Sequence, residues 1–78
     1  MDRIDFIVKK VKHELFKCGF LNTEIKTYKD QQTQTYIFFI STSFKNIKKD
    51  FKISIRSMNS IGDIIDIIYK DIKKGFNL

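Results

Sequence analysis

Lys17-Cys18-Gly19-Phe20 decides the fold of this 78-residue chain, because one residue pattern ends there and another begins. Upstream, Ile4, Ile7, Val8, Val11, Leu15 and Cys18 recur at three- and four-residue steps. At about 100° per residue that spacing confines them to one stripe of a helix, predicted over residues 3–18. Gly19 tolerates the left-handed conformation that stops a helix, and Phe20 is an apolar residue able to fold back on the last turn. The signal returns as Lys74-Gly75-Phe76, which places a second stop at Gly75. Ile61, Ile64, Ile65, Ile68 and Ile72 define that second helix, from Ile61 to about Lys74. Ser60-Ile61-Gly62-Asp63 opens it as a capping box, in which the Ser60 hydroxyl accepts the amide of residue 63 and Asp63 reaches back.

The segment between the helices reads as strands. Thr23 to Lys29 alternates around Ile25, and Asp30-Gln31-Gln32-Thr33 interrupts it as a hairpin loop does. Thr35 to Thr42 is rich in β-branched and aromatic residues. Phe51-Lys52-Ile53-Ser54-Ile55-Arg56 alternates strictly, the mark of a strand with one wet face, so Ile53 and Ile55 should point at the helices. Residues 44–50 read as the second hairpin. Short polar loops favour an antiparallel meander, and two helices with one apolar stripe each are both satisfied on a single sheet face. The expected fold is therefore α+β: a two-layer α-β-β-β-α domain over 1–78, with a three-stranded antiparallel sheet and both helices on one face.

That element order resembles the topology of the double-stranded-RNA-binding domain. The resemblance implies minor-groove contacts from helix 1 and the first hairpin, and phosphate contacts from a Lys-rich start of helix 2. Here the start of helix 2 reads Ser57-Met58-Asn59-Ser60-Ile61-Gly62-Asp63, without lysine, so no RNA-binding residue carries over.

A chain this short buries only about 60 to 65% of its unfolded surface, which corresponds to a net stability of ~4–8 kcal/mol. Apolar residues at 42% and charged residues at 31% are those of a globular protein rather than a disordered tail. Ile, Lys, Phe and Asn abound while Ala, Pro and Trp are absent, the imprint of an AT-rich genome such as that of a phage or other mobile element. Cys18 has no partner for an intramolecular disulfide, so a reducing, cytoplasmic location is expected. Tyr36 to Ile40 is the longest apolar run, far short of the ~20 residues that span a bilayer, and no membrane partner is expected.

Catalytic pairings fail on spacing. His13 and Cys18 lie five residues apart, which turns them about 140° from each other on a helix, and Cys18 falls on the core stripe. Asp63 and Asp66 share a face, but both complement the dipole at the start of helix 2, as Lys70, Lys73 and Lys74 do at its end. No Gly-rich phosphate loop or zinc-ligand spacing is present. The expectation is a non-enzyme with no cofactor and no metal.

Charge is the more informative property. The chain carries +6, and residues 44–56 hold Lys45, Lys48, Lys49, Lys52 and Arg56 against Asp50 alone. On helix 1, Arg3, Lys10 and Lys17 recur every seven residues beside Phe6 and His13, and Phe6 points away from the core. Tyr36-Ile37-Phe38-Phe39-Ile40 is apolar at both parities, so one set, Ile37 and Phe39 or Tyr36, Phe38 and Ile40, either faces outward as an interface or lies under Phe76 and Leu78. These features point to a small binding protein acting on nucleic acid or a nucleoprotein complex through the basic hairpin and the helix 1 face. The alternative is a phage- or mobile-element-type inhibitor or adaptor that blocks a host defence enzyme by protein contact. A homodimer through the open sheet face is a third arrangement.

Overall fold

The computed structural model describes residues 2–78. Its elements are α1 (Arg3–Lys17), β1 (Leu21–Asp30), β2 (Thr35–Phe44), β3 (Ile47–Arg56) and α2 (Ile61–Gly75). The strands form one open antiparallel sheet in the order β1-β2-β3, and both helices cover the same face of it, as the sequence patterning implies.

Each helix starts and stops for a local chemical reason. The Asp2 carboxylate accepts the Ile4 N–H at 3.4 Å to cap α1, and the Ser60 hydroxyl accepts the Asp63 N–H at 3.1 Å to cap α2. At the end of α1, Gly19 takes φ 93°, the Phe20 N–H donates to the Leu15 carbonyl at 2.9 Å, and the Gly19 N–H donates to Phe16 at 3.1 Å. This paired closure satisfies carbonyls that the helix leaves free. The end of α2 corrects the sequence reading: Gly75 is helical, and the left-handed residue is Asn77, at φ 62°. Leu78 and Asn77 then donate to the carbonyls of Lys73 and Lys74 at 2.9 and 3.0 Å. Gly75 is needed for closeness instead. A Cβ there would sit 2.7 Å from Cζ of Phe51, so the missing side chain is what lets α2 approach β3.

The two helices run parallel. Arg3, at the start of α1, donates to the carbonyls of Ser57 and Asn59 just ahead of α2. Cys18 Sγ meets Tyr69 Oη at 2.8 Å, and the Phe20 and Phe76 rings lie 5.4 Å apart. Cys18 is thus not a core residue: it occupies the C-cap position, where the chain turns off the apolar stripe, and it is exposed. Between helices and sheet, Ile7, Val11 and Leu15 of α1 and Ile64, Ile68 and Ile72 of α2 pack on Tyr36, Phe38, Ile40, Ile53 and Ile55. Ile53 and Ile55 therefore face the helices as alternation requires. Ile65 is only partly buried.

Turn chemistry fixes the sheet register. Residues 31–34 connect β1 to β2, with the Asp30 carboxylate accepting the Gln32 N–H at 3.0 Å. The second hairpin is tighter than its sequence suggests. Lys45 and Asn46 both adopt positive φ, 51° and 67°, giving a two-residue turn whose twist matches the flanking strands. β3 consequently begins at Ile47 and takes in residues read as loop. Where β1 starts, the register shifts between Leu21 and Glu24, and Thr42, fully buried there, pairs its hydroxyl with that of Thr23 at 2.8 Å.

The two helical glycines of α2 make a matched test. At Gly62 nothing lies within 4 Å of an added Cβ, so Gly62→Ala should gain about 0.5 kcal/mol, a Tm rise of roughly 2–4 °C. Gly75→Ala should instead lower Tm by about 4 °C or more, because the Phe51 ring is already packed on Phe76. Thermal unfolding followed by circular dichroism reads both. Equal rises would mean that the Phe51 ring moves aside at no cost.

Candidate functional site

The parallel helices and the β2–β3 turn bring the lysines to one end of the molecule. Phe20, Phe44 and Phe76 pack there, with centroids 4.8 Å apart for Phe20–Phe44 and 6.0 Å for Phe44–Phe76. The three segments that meet around these rings, residues 17–22, 43–49 and 72–78, carry Lys17, Lys45, Lys48, Lys49, Lys73 and Lys74 and no Asp or Glu. Asp2, Asp5, Asp30 and Asp63 lie at the opposite end, around the helix N-termini and the β1–β2 turn. Each set complements the helix dipoles beside it, so the polarity has a structural use as well.

The basic cluster expected over 44–56 divides three ways. Lys45 is in the turn, its ammonium 5.4 Å from the Phe44 ring centroid. Lys49 points to the helix side, donating to the Gly75 carbonyl at 2.6 Å and standing 5.5 Å from the Phe76 centroid. That lysine closes the end of α2. Lys48, Lys52 and Arg56 project from the open sheet face, in register with Ser43, Phe39 and Thr35.

The helix 1 stripe also separates. Lys17 joins the basic end, but Arg3 stands about 21 Å away along the helix axis. Its guanidinium is occupied by the Ser57 carbonyl at 2.6 Å and the Asn59 carbonyl, and it lies 6.0 Å from the Tyr36 ring. Arg3 therefore ties down the β3–α2 connection. Lys10 stands 6.0 Å from the exposed Phe6 ring, and His13 is exposed on the same outer face. Sequence reading missed Phe16, the most exposed phenylalanine at 68%. The signal was present, since one step of about 100° beyond Leu15 carries residue 16 off the core stripe.

On the open face, Ile37 and Phe39 are the outward pair, while Tyr36, Phe38 and Ile40 are in the core. Phe39 is 40% exposed and meets Tyr28 edge-on, centroids 5.5 Å apart. Phe76 does not cover this face, because its contacts are Phe20, Phe44 and Phe51 on the helix side. Cross-strand pairing sets Lys26 and Lys52 on either side of Phe39, and Glu24 and Asp50 on either side of Ser41.

Between the helices, the hydrogen bond to Cys18, then burial and the nearby Cys18 and Glu14 charges, raise the Tyr69 phenol above its ordinary value of 10.0, so it stays neutral at physiological pH. Among the described residues, no group of three His, Cys, Asp or Glu side chains is placed to hold a metal ion, and no helix is long and apolar enough to cross a membrane. No protein-family model, curated protein or solved structure matches the chain.

Arg3 and Lys10 should behave differently despite their shared helix face. Arg3→Ala removes two charge-assisted bonds to partly buried carbonyls and should cost about 1–2 kcal/mol. Lys10→Ala should stay within about 0.5 kcal/mol of the parent. Urea unfolding curves measure both; equal midpoints would remove Arg3 from its anchoring role.

Proposed function

We propose that the protein is a small binder, not an enzyme, whose basic end docks on the phosphates of a nucleic acid, free or within a nucleoprotein complex. One observation carries the reading: three separate segments, residues 17–22, 43–49 and 72–78, deliver six lysines to a single end, outnumbering the adjacent Glu24, Asp50 and Asp71. A solvated loop spreads its charge, whereas this end concentrates it on one surface. Lys49 is held by the Gly75 carbonyl and Lys73 is half-buried over the Tyr69 ring, 5.2 Å from its centroid, which leaves the exposed Lys17, Lys45, Lys48 and Lys74 as the available contacts. Lys10 and Phe6 extend the surface along α1, and Lys52 and Arg56 extend it along β3. Such contacts position a phosphate backbone and read no base sequence. The exposed, unpaired Cys18 suits the reducing cytoplasm as the place of action.

A second reading, an inhibitor or adaptor of the kind mobile elements direct at host defence enzymes, is favoured by Phe16 and Phe6 on the outer face of α1. An exposed aromatic pair can anchor a protein interface. In that case Phe16→Ser abolishes a nuclease-resistant complex, while lysine reversal mainly slows association.

Fluorescence anisotropy with labelled duplex and single-stranded DNA and RNA, over a salt series, tests the first reading. Four phosphate contacts on a duplex should give a slope of log affinity against log salt near about −3.6. Reversing Lys45, Lys48 and Lys74 to Glu should weaken binding at least ~100-fold with the circular dichroism spectrum unchanged. Absence of binding at low salt, or a flat slope, would contradict the proposal.

A further inference from the structure

Beyond the basic end, we infer that the open sheet face is self-complementary and docks face to face on a second copy of the chain. The charge rows are the reason. Lys26 and Lys52 flank Phe39, and the adjacent row sets Glu24 and Asp50 about Ser41. Consider a twofold axis lying between the two sheets, perpendicular to the strands, and passing between these rows. It places Lys26 and Lys52 of one copy over Glu24 and Asp50 of the other, and the reverse, so the interface holds four opposite-charge pairs. A twofold parallel to the strands would instead stack Lys26 over Lys52 and Glu24 over Asp50. Charge therefore selects the first axis.

Shape selects the same one. A depression of about 360 Å³ opens beside Phe39, bordered by Glu24, Ser41, Lys48 and Asp50. Phe39 itself protrudes at its rim, 40% exposed. Knob and hollow occupy adjacent rows, so the axis that pairs the charges also carries each Phe39 ring into the hollow of the other copy. Small Ser41 leaves that space open. Packed sheets align to within about 30°, and the two rows next to the axis are the ones such a twist displaces least.

Area sets the strength. Three strands of ten residues present roughly 450 Å² on one face, hence roughly 900 Å² in total, at the low end for specific association. The dimer is accordingly weak and concentration-dependent, with a Kd on the order of 100 μM.

Sedimentation equilibrium of the full chain without nucleic acid, from roughly 10 μM to 1 mM, brackets that value. The parent should dimerise reversibly and less at high salt. Lys52→Asp, an exposed outward position, should weaken the dimer at least about tenfold, because carboxylates then face each other across the axis. Exchanging the pair, Asp50→Lys with Lys52→Asp, should restore it to within about threefold. Lys26→Glu alone, and then combined with Glu24→Lys, gives the same loss and restoration on β1 if the β3 variants fold poorly. A parent that stays monomeric overturns the inference, as does a dimer indifferent to Lys52→Asp, which would pair through strand edges. Failure of the exchange to restore association overturns it too. None of these outcomes involves phosphate binding, so the basic-end proposal stands or falls separately.

Discussion

The contact on which the rest of the structure depends is the four-ring cluster of Phe20, Phe44, Phe51 and Phe76. Each ring comes from a different part of the chain: the turn after α1, the end of β2, the middle of β3 and the C-cap of α2. Phe20 is almost fully buried among them. Aromatic pairs of this geometry add about 0.5–1.5 kcal/mol beyond their burial, and a buried Phe is worth about 3–5 kcal/mol against Ala. That is a large share of the ~4–8 kcal/mol expected for a domain of this size. The left-handed turn at Gly19 delivers Phe20 to the cluster, and the bare Cα of Gly75 lets α2 close on Phe51. With both helix ends and a hairpin held at one place, their lysines necessarily gather there.

Function on this scaffold is a matter of which surface the covered face leaves free. Helices on one side of a three-stranded sheet leave the other side open, and its apolar centre, Ile37 and Phe39, is set among alternating charges. The basic end lies at right angles to that face, along the strand direction. The proposed phosphate partner at the end and the inferred second copy on the face therefore share few residues: Lys48, which borders both, and Lys52 and Arg56, which lie on the open face. The outer face of α1, with Phe6 and Phe16, is a third surface facing away from the sheet.

Much of the fold could be read from residue spacing, since apolar stripes and strict alternation are local consequences of backbone period. α1, α2 and the parity of Ile53 and Ile55 follow from it directly. What escaped depends on contacts between distant segments. Gly75 looks like a helix stop in sequence, and only the nearness of Phe51 shows it to be a close-approach residue. Lys45-Asn46 lacks the glycine that usually marks a two-residue turn, so spacing alone starts β3 later than the structure does. Cys18 sits on the stripe by arithmetic but beyond the last helical turn in fact. The candidate site was legible as charge density along the chain, not as geometry. Nothing local to Lys49 or Arg3 reveals that each is spent on a backbone carbonyl, and nothing near Lys73 or Lys74 reveals that they join the hairpin.

Residue-resolved hydrogen exchange on Phe76→Ala is the most direct measurement of whether the four rings hold the basic end together. Removing this ring leaves Phe20, Phe44 and Phe51 without their common neighbour while sparing the isoleucine core between helices and sheet. The amides of residues 72–78 and of β3 from Lys48 to Phe51 should lose protection by an order of magnitude or more, while those of Phe38 and Ile40 stay protected. Unchanged protection in residues 72–78 and 48–51 would contradict this role for the cluster, because the lysines would then be positioned by something else.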